Sequence, residues 1–326
     1  MPPKIRGMAR NSTPPKSFTL MLSSEDALAS SDDHLAGKTP PHGLPHERFL
    51  LGNQVPAAPI MLLGQSSQNI NADVVIACLQ PVHLHATRDH LILMQQNSVQ
   101  LSATESSQLL KVALPLIEED FQSPLLFEGR QDWFIQAGPF SSLASHSIEQ
   151  AHGRNIDWWM PRDTHEAGVA RQWRKLQNEI QMLWHIDPVN TLRGEQGLPA
   201  INSVWISGIG KLADVKSPEE LQSAQHIYGT HPLLTGLARY LEVPHQTQLI
   251  APTDLAGGFA WFDQPESIWP TLKQALQDAI LDEIILIDFP KGQIRKRVIT
   301  SKNLHKKSWM FWRQGQPISW QEISQA

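Results

Sequence analysis

A chain of 326 residues, 41% hydrophobic and 18% charged, can bury a sizeable core, and a net charge of −5 argues against a surface built to coat nucleic acid. Its single cysteine, Cys78, lies in the apolar run 74–79, which excludes an intramolecular disulfide and a cysteine-based zinc cluster. Lys4, Arg6 and Arg10 have no apolar stretch behind them, and no run nears the ~20 apolar residues of a membrane span, so a cytoplasmic protein without a membrane partner is expected.

Residues 1–47 are rich in Pro, Ser, Asp and Lys and are expected to form a flexible tail, with 18–22 docking locally at most. Residues 48–326 are expected to form a single mixed α/β domain. The run 72–79 reads as a strand covered on both faces. Residues 82–86 and 91–94 flank Thr87–Asp89 and suggest a hairpin. Ser102 and Glu105 form a capping box for a helix to about Phe121, with Leu109, Leu110, Val112, Ala113, Leu116 and Ile117 at helical spacing. Strands follow at 125–127 and 133–135. An amphipathic helix spans 171–186 on the stripe Trp173, Leu176, Ile180, Leu183 and Trp184. Asp187 and Pro188 read as N-cap and first residue of a short helix that Gly197 stops. A strand at 203–206 ends at Gly208 and Gly210. Ser217 is expected to cap a further helix, 232–241 is helical, 248–250 is a candidate strand, and 267–281 is helical. The strand 283–289 turns at 290–292 into 293–300. Strands alternating with helices predict an α/β or α+β class with a mixed sheet flanked by helices. All 11 tryptophans lie at or after Trp133, so ring burial should concentrate there.

Within 187–210 the chemistry is densest. Asn190 and Arg193 sit three apart on one helix face, and Arg offers a planar fork of donors suited to carboxylate or phosphate. Asn202 follows, and Gly208 and Gly210 would let a ligand approach the backbone at a strand's carboxyl edge. These five residues are the expected ligand site; the alternative is that Arg193 pairs with a carboxylate such as Glu179 or Glu195 and fixes the helix. The pattern Gly208-x-Gly210 does not open a helix, so a dinucleotide site is rejected. His83, His85 and His90 share the hairpin but lack a defined register for zinc, and 163–166 lacks a partner His. No catalytic residue, metal site or cofactor is assigned.

The block Pro188, Asn190, Arg193, Gly197, Pro199, Asn202, Gly208 and Gly210 resembles a conserved block of the archaeal-type cofactor-independent phosphoglycerate mutases. More of the chain, from about residue 50, resembles the bacterial RpfE-type regulatory proteins, described as phosphoglycerate-mutase-like, through 173–182, 202–205, 228–238 and 306–313. The departures are Asp187 where the mutases carry His, one inserted residue in 199–202, and Ser207 where they carry Arg. The resemblance implies a reduced alkaline-phosphatase or phosphoglycerate-mutase-like fold, with Asn190, Arg193 and Asn202 at the positions that handle phosphoglycerate. The mutases' Asp-Gly-x-x-Asp and Asp-x-x-Gly-His signatures do not occur in this sequence, and two-metal chemistry fails when either half is lost. The resemblance therefore implies a regulatory pseudoenzyme that binds a small anionic ligand or a protein partner. The alternatives are an active mutase or phosphatase, and nucleic-acid binding through 291–313. That last segment holds eight basic residues and no acidic one, with Trp309, Phe311 and Trp312 among them.

Overall fold

The run Ser17–Met21 (β1) forms an inner strand of the larger sheet, with Phe18, Leu20 and Met21 sealed from solvent. The structure, a computed structural model, describes residues 15–24, 41–94, 96–249, 255–304 and 319–325. In chain order the other strands are β2 (Ile76–Val82), β3 (Leu84–Ala86), β4 (Leu91–Leu93), β5 (Leu125–Glu128), β6 (Trp133–Gln136), β7 (Leu143–Ala144) and β8 (Arg162–Asp163). They continue as β9 (Ser203–Gly210), β10 (His226–Tyr228), β11 (His245–Gln246), β12 (Gly258–Trp261), β13 (Glu283–Asp288) and β14 (Arg295–Ile299). The helices are α1 (Pro45–Leu51), α2 (Ala57–Gln65), α3 (Gln96–Val99), α4 (Ala103–Phe121), α5 (Ile148–Ala151) and α6 (Val169–His185), followed by α7 (Pro188–Glu195), α8 (Glu219–Gln222), α9 (Pro232–Tyr240), α10 (Trp269–Gln277) and α11 (Trp320–Gln325).

Two sheets carry the fold. The six-stranded one has the order β11-β10-β12-β1-β13-β14, parallel up to β13 and closed by antiparallel β14. The four-stranded one, β5-β6-β2-β9, is antiparallel. Strands β1 and β13 read as apolar runs because both faces of the larger sheet are covered. One face packs with α1, α2 and α9 through Met21, Leu50, Ile60, Leu237 and Phe259, the other with α10 and α11 through Phe18, Leu272, Leu276 and Ile323. The smaller sheet buries Leu79, Trp133 and Val204 against α4 and α6, and Cys78 and Phe134 against α2. This is the mixed α/β class expected, with helices flanking mixed strand directions.

The expected tail is corrected at 17–21 and 41–47. The first segment is a core strand. The second brings α1 into place, with His46 and Glu47 buried. Pro, Ser and charge dominate the composition of 1–47 and hide a five-residue strand, which is too short to shift an average. Helix α8 has Pro218, not Ser217, at its N-cap, and β11 falls at 245–246, before the expected 248–250. The capping box at Ser102 and Glu105 is present, with Glu105 N–H donating to Ser102 Oγ at 3.2 Å.

Helix α2 lies between the sheets, and glycines let it come close to its neighbours. A Cβ at Gly208 would meet Ala58 N at 2.5 Å, one at Gly210 would meet Pro56 Cβ at 2.6 Å, and one at Gly236 on α9 would meet Ile60 O at 1.9 Å. Gly208 and Gly210 therefore sit inside β9, which runs on past 206, and receive a helix start. Gly236→Ala should cost more than the ~1–3 kcal/mol typical of overpacking, since the obstacle is a backbone carbonyl that no rotamer change moves. Urea unfolding of the variant beside the parent measures this, and equal midpoints would refute it.

Candidate functional site

In place of an anion clasp, the structure makes Arg193 an internal strut. Its side chain is 1% exposed. Nε donates to Pro199 O at 2.8 Å, Nη1 to Glu105 Oε1 at 2.8 Å, and Nη2 to Val99 O. Glu105 is held below the usual carboxylate range: burial pushes it up, but hydrogen bonds from Ser102 and Arg193 outweigh that. Asn190 donates Nδ2 to Trp184 O and Ile201 O and accepts from Ile201 N–H at 2.7 Å. Asn202 pairs with both backbone groups of Leu84, acting as a surrogate strand neighbour for β3. All three residues spend their polar groups tying loops to α4, α6 and the hairpin, and they do not converge on one hollow. Of the five expected ligand residues, Gly208 borders a cavity.

That cavity, about 760 Å³, opens between the two sheets. It lies outside the carboxyl ends of β1, β10 and β12, which contribute Ser23 and Ser24, Thr230 and His231, and Trp261 and Asp263. Parallel strands deliver side chains to such an edge because every chain exit lies on the same side. The opposite wall comes from the smaller sheet: Gln80, Asp132, Ser207 and Gly208. The segments at 42–47 and 145–152 close the sides.

The histidines here have defined roles. Ser24 N–H donates to His46 Nδ1 at 3.2 Å, and Leu233 N–H donates to His231 Nδ1 at 3.3 Å, so each neutral ring carries its proton on Nε2. Both Nε2 atoms face Glu149. His231 reaches Oε1 at 3.0 Å, while His46 stands 3.9 Å from Oε2, too far for a hydrogen bond. Burial pushes Glu149 up, but the two imidazoles outweigh it and its carboxyl lies well below the usual range. The His231 ring stacks on Trp261 at 3.8 Å between centroids, and His46 packs on the same indole at 5.0 Å. Trp261 Nε1–H donates to Ser23 Oγ at 2.7 Å. His42 donates Nε2–H to Gln54 O at 2.8 Å, and burial lowers its pKa.

On the far wall, Asp132 Oδ1 accepts from Gln80 Nε2 at 2.7 Å, and Ser207 Oγ donates to Gln80 Oε1 at 3.2 Å. Burial pushes Asp132 up, against the hydrogen bonds from Gln80 and Gln65. Glu47, which accepts Leu44 N–H at 2.6 Å, is also raised by burial. Among the described residues, three buried polar atoms on residues lining the cavity have no hydrogen-bond partner: Ser24 Oγ, Ser145 Oγ and His46 Nε2, the last 3.9 Å from Glu149 Oε2.

The other candidate features resolve as structure. The His83 and His85 rings are 5.8 Å apart, and His83 Nδ1 bonds Ala200 O. Among the described residues, no group of three or more His, Cys, Asp or Glu is arranged to hold a metal ion, and no helix is long and apolar enough to cross a membrane. In the basic segment, Arg295 and Arg297 both pair with Asp288, and Lys296 pairs with Glu220. Residues 305–318, with Trp309, Phe311 and Trp312, lie outside the described residues.

The cavity residues escaped the sequence reading because they come from distant places. His42 and His46 fall in the segment read as tail, and His231 and Glu149 are 82 residues apart. The available signal was His231 before Pro232, which fits an N-cap whose ring accepts a backbone N–H.

Arg193→Ala should lower the unfolding free energy by ~3 kcal/mol, because it removes one partner of a buried ion pair and strands two carbonyls. Arg193→Lys should not restore it, since a point charge cannot serve three acceptors at once. Chemical denaturation checks both, and a variant within experimental error of the parent refutes the strut. Glu149 gives a pH signature. With its folded pKa depressed, its stabilisation is complete above the ordinary carboxylate range and is lost as pH falls through the folded value. The stability gap between parent and Glu149→Gln should therefore shrink as pH falls from about 5 towards about 3. A gap independent of pH would contradict it.

No family model matches the chain, and no curated protein matches it. Among solved structures it is similar to a cofactor-independent phosphoglycerate mutase from Thermoplasma acidophilum, at 13% identity and a TM-score of 0.38, over 88% of this chain and 92% of that one. It is also similar to a protein from Pyrococcus horikoshii, at 13% identity and a TM-score of 0.36, over 84% and 81% of the two chains. Likenesses this loose carry no argument about the site, which rests on the residues themselves.

Proposed function

We propose that this chain is a non-catalytic, regulatory protein of phosphoglycerate-mutase-like kinship that works by binding a small polar ligand in the cavity between its two sheets. The observation that carries the reading is the set of unpartnered atoms, Ser24 Oγ, His46 Nε2 and Ser145 Oγ, on the residues lining one hollow. A buried polar group left unpaired costs ~1–3 kcal/mol, so three around one space call for a partner from outside the chain. The regulatory role rests on the resemblance of 173–182, 202–205 and 228–238 to RpfE-type proteins. The guanidinium of Arg193, on which an anionic ligand is expected from the sequence, is engaged by Pro199, Glu105 and Val99, which supports seeking the ligand in the cavity instead.

The competing reading is an active mutase or phosphatase, favoured by a carboxylate hydrogen-bonded to one imidazole and faced by a second beside Ser24, an arrangement suited to proton transfer. Incubation of the full chain with manganese and 3-phosphoglycerate separates the two. The binding reading expects no phosphoglycerate interconversion and no phosphate release above the protein-free control, and turnover that disappears in Glu149→Gln would overturn it. Native mass spectrometry after exposure to a metabolite extract tests binding directly. A small-molecule adduct is expected on the parent and absent from His46→Phe, which keeps the ring packing and removes the donor. A parent without an adduct would sink the proposal.

A further inference from the structure

We infer that the cavity takes an uncharged, polyhydroxylated ligand of sugar or nucleoside size in preference to a phosphorylated one, an inference that rests on the cavity being a binding site. A volume of about 760 Å³ falls within the ordinary range for small-molecule pockets. The polar wall mixes donors with acceptors. His46 Nε2 is a fixed donor, because Ser24 N–H occupies the other ring nitrogen. The hydroxyls of Ser24 and Ser145 serve either way, and the Glu149 and Asp263 carboxylates accept. A C–OH group gives one hydrogen and takes another, so a ligand with several hydroxyls can satisfy all of these at once. A phosphate monoester dianion has no hydrogen on its phosphate oxygens to offer the carboxylates.

Charge points the same way. Four carboxyl groups, Glu47, Asp132, Glu149 and Asp263, line the space with four imidazoles, His42, His46, His152 and His231, and among the described residues no Lys or Arg is in the lining. Burial already disfavours the ionised forms of Glu47 and Asp132. An incoming anion would meet like charge or force proton uptake at these groups, and either cost reduces its affinity. Between the polar groups, Val55, Met61 and Ile148 give the wall apolar stretches suited to the C–H faces of a ring.

Saturation-transfer NMR on the full chain tests this with two mixtures. One holds aldopentoses, aldohexoses and nucleosides; the other holds inorganic phosphate, 3-phosphoglycerate and sugar phosphates observed through their carbon-bound protons, with phosphate followed by its phosphorus line width. The expected result is transfer to a member of the first mixture, lost in His46→Phe and roughly tenfold weaker in affinity in Ser145→Ala, which removes one hydrogen-bonding group with little change in volume. Three results overturn the inference: binding confined to the second mixture, transfer that survives His46→Phe, and no transfer from the first mixture. If a phosphorylated ligand binds and His46→Phe abolishes it, the binding site stands and only the ligand class falls. If neither mixture binds, the class again falls, and the site itself is decided separately by the retained adduct.

Discussion

The approach of α2 to its neighbours sets everything else. Where side chains would hold a helix away from a strand, Gly208 and Gly210 let Pro56–Ala58 rest against β9, and Gly236 lets Ile60 touch α9. One short helix is thus fixed to the smaller sheet on one side and, through α9, to the larger sheet on the other. The cavity lies along that seam, bordered by Ala57 and Met61 of α2 and by Ser207 and Gly208 of β9. Gly208 serves both ends, accepting α2 while bordering the hollow.

The ionisable groups divide by what surrounds them. Arg193 is enclosed by acceptors from α4, the 99–101 segment and the 199–202 loop, so its charge is spent on holding the chain together. Desolvating a guanidinium is tolerable only when its fork meets acceptors in the fork's own geometry, and two carbonyls plus a carboxylate supply them. Glu149 is the reverse case. It stands half-exposed at the cavity, with two ring donors aimed at it and one of them out of hydrogen-bonding range. A group with unused capacity facing open space can respond to a ligand. A group with all its partners inside the protein cannot do so without unfolding its surroundings.

Local signals were legible wherever the chain satisfies itself within a few residues. The Ser102–Glu105 cap, the α6 stripe, the β3–β4 and β13–β14 hairpins and the Asp187 N-cap all follow from short-range hydrogen bonding or periodicity. Long-range partners were not legible. Arg193 looked like a ligand fork because its main partner, Glu105, is 88 residues away and Val99 O is a backbone atom with no signature in the sequence. Strand β1 was hidden for a related reason: a five-residue parallel strand shows no alternation, and its neighbours β12 and β13 pair with it from 240 and 266 residues further on.

The tautomers give the cavity its chemical polarity. Backbone N–H groups can only donate, so Ser24 and Leu233 force the proton of each neutral ring onto Nε2, and both rings present N–H to the space around Glu149. His231 completes that contact at 3.0 Å while His46 stops at 3.9 Å, and the same Trp261 ring backs both imidazoles. His46 Nε2 thus ends 3.9 Å from the carboxylate, without a hydrogen-bond partner among the described residues.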